Sequence, residues 1–151
     1  MKNIFKIKNI SQFINESDDD SIIFSRSQID KSFQLIILYP EYDKYSLFKK
    51  FFDAHGLGFI DVRKKIIYID GSQMEDLTFD HLLAIQAHEI GHYKLKHKGN
   101  YSRSQELEAD IYGIDTLNRL GHTKAAEFLS DRMYGMYTKK EIDTKRDKIL
   151  K

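Results

Sequence analysis

The residues best equipped for chemistry stand together as His88-Glu89-Ile90-Gly91-His92. On a helix, positions four apart share a face, so the two imidazoles can bite one metal ion. Two neutral imidazoles leave a divalent zinc open positions for water, and the metal lowers the pKa of that water from ~15.7 to ~7. Glu89, one position along, can take the proton, so five residues supply two ligands and a general base. The plainer account of the same letters is a helix that exposes two histidines.

A zinc site with two protein ligands is incomplete, and Glu106-Leu107-Glu108-Ala109-Asp110 offers what is missing. A carboxylate from a second helix, Glu106, would close a set of two histidines and one glutamate. Asp110, four residues further along the same face, is placed to accept the ring N–H of a ligating histidine and fix its tautomer. Glu108 falls on the other side of the helix and is expected to be solvated. An acidic pair at this spacing is otherwise an ordinary solvated face.

Read with the flanking Ser102-Arg103-Ser104-Gln105 and Ile111-Tyr112-Gly113, the two stretches resemble the gluzincin metallopeptidases, in the branch that holds the CAAX prenyl proteases and the HtpX-like heat-shock proteases. The likeness continues through Arg119-Leu120-Gly121-His122 and Ala125-Ala126-Glu127-Phe128-Leu129 and covers about residues 57–150. It implies one zinc ion on His88, His92 and Glu106, Asp110 behind a ligand, and hydrolysis of a peptide or protein substrate. Only 14 positions separate His92 from Glu106 (106 minus 92), so the insertion of the membrane-bound members is missing and the chain is similar to the compact, soluble minigluzincins. It departs from the family where a Ser-Thr-His-Pro stretch is expected, since residues 139–143 read Lys-Lys-Glu-Ile-Asp. By position, Arg146 is the family-like candidate for stabilising the oxyanion, with Tyr134, Tyr137 and His122 behind it. The resemblance also implies that Gly58, Phe59 and Ile60 form an edge strand on which substrate adds antiparallel, Gly58 allowing close approach. Two alternatives stay open: a regulatory protease of the ImmA-like kind that cleaves a repressor, and a latent or non-catalytic zinc-binding module.

The 151 residues suffice for one domain with a real core. Hydrophobic residues make up 41% and charged residues 31%, an ordinary globular balance, and the net charge of +1 lacks the basic footprint of a nucleic-acid binder. There is no cysteine, which excludes a disulfide scaffold and a thiolate metal site. No run approaches the ~20 apolar residues of a membrane span, and the N-terminus has no secretion-signal core, so a soluble, cytoplasmic protein is expected.

The positioning elements follow from pattern. Residues 33–39, apolar, β-branched and aromatic, read as a buried strand stopped by Pro40. Residues 42–54 carry aromatic positions at helical spacing and end at His55-Gly56, with His55 as a cap residue. Residues 57–62 and 66–70 read as a hairpin across Arg63-Lys64-Lys65, and 71–78 as a loop. The helix bearing His88 buries Leu82, Leu83, Ile85 and Ile90, and Gly91 within it, costing about 1 kcal/mol against Ala, calls for a close neighbour. His81 and His97 read as surface or capping residues. Ser102 with Gln105, and Thr138 with Glu141, have capping-box spacing, and Thr123 is expected to cap the helix between them. Residues 1–32, with the acidic Asp18-Asp19-Asp20, form an N-terminal segment that could lie over the cleft and keep the enzyme latent; residues 33–151 are expected to form a single metallopeptidase domain. Strands ahead of helices make the expected fold α+β.

Overall fold

Among the residues that the computed structural model describes, 20–150, a four-stranded mixed sheet occupies the N-terminal half and helices dominate the C-terminal half, so the fold is α+β. The chain forms two compact units, Met1–Thr78 and Phe79–Lys151. Residues 1–19, most of the segment expected to confer latency, lie outside the described residues.

In the first unit the sheet runs in the order β1-β2-β4-β3. Strand β1 (Ile22–Arg26) pairs antiparallel with β2 (Gln34–Leu38), which was expected from its apolar run; β1 was not. Helix α1 (Tyr45–His55) ends where Gly56 takes a φ of 97°, a conformation that only glycine adopts without cost. The hairpin expected downstream is present as β3 (Gly58–Asp61) and β4 (Ile66–Asp70), and β4 returns parallel to β2. Ile36, Leu38, Tyr45, Phe52 and Ile66 form one core cluster of this unit, with Phe59 stacked on Tyr68 and flanked by Phe51 and Phe52. The expected loop after β4 is a 3-10 turn (Gly71–Asp76), whose start is held by the Asp70 side chain accepting from Ser72 N–H.

The second unit is helical. Helix α2 (Phe79–Lys94) carries the histidines and α3 (Arg103–Arg119) the acidic stretch. Helices α4 (Thr123–Met136) and α5 (Lys139–Ile149) follow. Both capping boxes form: Ser102 and Gln105 close α3, and Thr138 and Glu141 close α5, each satisfying two orphan N–H groups. At α4 the expectation fails, because Thr123 is already the first helical residue and His122 occupies the cap position without a side-chain hydrogen bond. Gly121, with φ of 86°, consumes the turn and pushes the cap back by one residue. Leu107, Ile111, Met133, Tyr137 and Ile142 form a core cluster that fastens α3, α4 and α5 together. The fully buried Ile142 alone contributes roughly 1.5–3 kcal/mol by leaving water.

What sets the site is the seam between α2 and α3. Ala87 and Gly91 on one helix face Ala109 and Gly113 on the other: a Cβ added at Gly91 would lie 2.9 Å from the Ala109 carbonyl oxygen, and one at Gly113 would lie 3.2 Å from the His88 nitrogen. Four small residues at i, i+4 spacing thus let the two backbones nearly touch, which is the neighbour that Gly91 required.

Candidate metal centre

That close approach gathers His88 and His92, which follow Ala87 and Gly91 directly, and Glu106, about one turn before Ala109, into a cluster. His88 Nε2 lies 2.9 Å from Glu106 Oε1, His92 Nε2 lies 3.0 Å from the same oxygen, and the two Nε2 atoms are 3.1 Å apart. His88, Glu89 and His92 are buried, whereas Glu106 is only partly covered. These three ligand atoms form the one group among the described residues with the composition and proximity to hold a metal ion.

The proton count says what belongs there. Asp110 is almost fully buried and accepts from Arg132 (3.1 Å), so it is a carboxylate and must also accept the His88 Nδ1–H at 2.7 Å. A neutral His88 then turns an Nε2 lone pair toward a carboxylate oxygen and a second imidazole nitrogen. Such a triangle repels itself unless a cation, or a proton on one of the rings, lies among its corners. Its edges of 2.9–3.1 Å are a few tenths of an ångström shorter than the ~3.3–3.4 Å of a tetrahedral ligand set with bonds of ~2.0–2.1 Å, so a small outward shift of the three side chains would admit an ion. The residues therefore fit a divalent ion with nitrogen and oxygen preferences, and the lack of cysteine removes the softer thiolate alternatives.

Without an ion, protons take over part of the same balancing. Burial works against a charged His88, but its hydrogen bonds to Asp110 and Glu106 outweigh burial and raise its pKa. Burial would raise the Glu106 carboxyl, yet its close contacts with the His88 and His92 rings hold it well below the usual carboxylate range. Burial lowers His92 to about 4, so this ring is neutral at physiological pH. Burial pushes Glu89 up to about 7, with His88 opposing and Glu106 adding to the rise. A carboxyl balanced near neutrality is what a general base or acid requires.

Of the residues singled out from the sequence, His88, Glu89, His92, Glu106 and Asp110 come together. Arg146 does not join them: its guanidinium reaches the Tyr134 hydroxyl (3.5 Å) and Asp143 (3.8 Å). Gly58, Phe59 and Ile60 form edge strand β3 of the first unit, with the Phe59 ring committed to the aromatic core. Two expectations are corrected. His97 is not a surface residue but is 6% exposed, with Nδ1 at 2.9 Å from His92 Nδ1. Glu108 is not solvated; it is mostly covered and bonds His97 (2.8 Å) and Lys145 (2.9 Å).

Three further residues carried no signal in the sequence. Tyr101 lies flat on His92, ring centroids 3.6 Å apart, and burial with the charges of Glu89 and Glu106 pushes its phenol up to about 12. Arg132 and Lys145 reach the acidic residues of α3 from α4 and α5. Among the described residues, no helix is long and apolar enough to cross a membrane. Compared with protein-family models, with curated proteins and with solved structures, the chain matches none.

Proposed function

We propose that the chain is a zinc-dependent endopeptidase of the gluzincin kind, compact like the minigluzincins. The observation that carries this reading is the convergence of three metal-type donors on one point, with the buried Glu89 next to the ligand His88 in the same helix. His88, His92 and Glu106 would hold one zinc ion. When bound, zinc supplies Lewis acidity, lowering the pKa of water and polarising a carbonyl oxygen.

Within that frame Glu89 accepts the proton of the attacking water and delivers it to the departing amine, a two-way task suited to a carboxyl whose two forms are nearly equal in energy. Asp110, neutralised by Arg132, keeps the His88 proton on Nδ1. We assign the oxyanion donor to Tyr101 in preference to Arg146. Its phenol stays protonated and packs against His92, whereas Arg146 is engaged with Tyr134 and Asp143. Strand β3 would take an extended peptide by main-chain pairing along its outer edge.

The test is degradation of an unfolded protein such as casein by the chain loaded with zinc. Cleavage is expected, lost on chelation and lost in Glu89→Ala with zinc content unchanged. A chain that keeps zinc but leaves casein and unstructured peptides intact is a metal-binding module, and the peptidase reading then fails.

A further inference from the structure

Helix α2 does not simply stop after His92. Lys96 takes a φ of 61°, its N–H bonds the Tyr93 carbonyl (3.1 Å), and the His97 N–H reaches back to the His92 carbonyl (3.0 Å). This pair of bonds is the Schellman ending, normally built on glycine. A lysine there carries the strain of the left-handed region. The reversal returns the His97 ring edge-on to the His92 ring, both almost fully buried.

From there a chain of contacts runs outward. His92 Nδ1 meets His97 Nδ1 at 2.9 Å, His97 Nε2 meets Glu108 Oε1 at 2.8 Å, and Glu108 Oε2 meets Lys145 Nζ at 2.9 Å. Only one arrangement of protons satisfies all three with neutral rings. Lys145 can only donate, so Glu108 accepts from it and, as a carboxylate, can only accept from His97. His97 therefore carries its proton on Nε2 and presents a lone pair at Nδ1. His92 must then carry its proton on Nδ1, which leaves the Nε2 lone pair facing His88 and Glu106.

We propose that His97, Glu108 and Lys145 are positioning residues that hold His92 in the tautomer able to ligate a metal, one imidazole longer than the Asp110–Arg132 arm that serves His88. Each ligating histidine is thus oriented by a carboxylate of α3 anchored on a cation, Arg132 of α4 or Lys145 of α5. The proposal rests on reading His88, His92 and Glu106 as a metal site, and its tests separate the two.

The first readout needs no metal and no variant: long-range proton–nitrogen correlation of the imidazoles in the chelator-treated wild-type chain at neutral pH. His92 is expected as the Nδ1–H form and His97 as the Nε2–H form, and the reverse assignment overturns the proposal. The second readout is zinc affinity by competition with a chromogenic chelator. His97→Phe, which removes the acceptor, is expected to weaken zinc roughly 10- to 100-fold. His97→Asn, whose oxygen can take the place of Nδ1, is expected to recover most of that loss. A folded His97→Phe that binds zinc like the wild type refutes the positioning role, as does His97→Asn binding no better than His97→Phe. If the wild type binds no zinc, the metal reading fails while the tautomer assignment still decides the hydrogen-bond chain.

Discussion

Replacing Glu89 with Gln separates what this carboxyl does for chemistry from what its charge does to the fold. Glu89 is 6% exposed, and burial, opposed by His88 and reinforced by Glu106, raises its pKa from 4.5 to about 7. A folded chain that holds a proton more tightly than the unfolded chain has that stability fully below about 4.5 and loses it as pH rises through about 7. At ~1.4 kcal/mol for each tenfold change in proton affinity, the complete loss is about 3 kcal/mol. Glutamine has no proton to lose and is nearly the same size. Treated with chelator, Glu89→Gln is expected to exceed wild type by less than about 1 kcal/mol at pH 5 and by about 3 kcal/mol at pH 8. The urea midpoint, followed at several pH values, measures the difference. In the zinc-loaded chain the same substitution is expected to reduce peptide hydrolysis to background. A stability gap that does not change between pH 5 and pH 8 refutes the account of a strained buried carboxylate. Full hydrolysis by the variant refutes the general base.

The helix seam and the arm behind His88 are open to the same treatment. Gly91→Ala puts a methyl group 2.9 Å from a backbone oxygen that cannot swing aside, so overpacking of ~1–3 kcal/mol outweighs the ~1 kcal/mol gained in helix propensity. A lower melting temperature together with weaker zinc binding is expected; a more stable variant with unchanged zinc affinity shows that α2 and α3 are not pressed together. Asp110→Ala leaves the buried His88 Nδ1–H without its acceptor, costing roughly 1–3 kcal/mol of stability and 10- to 100-fold in zinc affinity. Titration calorimetry of zinc checks the second figure, and an unaltered affinity removes Asp110 from the site.

Much of the site was legible because it is local. A spacing of four on a helix puts His88 and His92 on one face whatever surrounds them, and the 3.6-residue period gives Glu106 and Asp110 a shared face in the same way. The capping boxes at Ser102 and Thr138 and the hairpin around residues 63–65 are likewise short-range devices, and they formed. His97 escaped because its route back to His92 depends on a helix ending at Lys96, where the usual glycine is absent. Glu108 was misread because solvation was judged from α3 alone, whereas Lys145 arrives from 37 residues away.

By itself, then, the order of residues determined the helices, the two capping boxes and the chemical types on each face, since these follow from interactions within a turn or two. Tertiary structure decided how near α2 and α3 come, and with it whether three donor atoms meet within 3.1 Å. It also decided which cations anchor the acidic residues and that β2 pairs with β4 rather than with its neighbour in sequence beyond the helix. The physical reason is range: hydrogen bonds and side-chain periodicity act over a few residues, but backbone contact at Gly91 and Gly113 exists only once separate segments have packed.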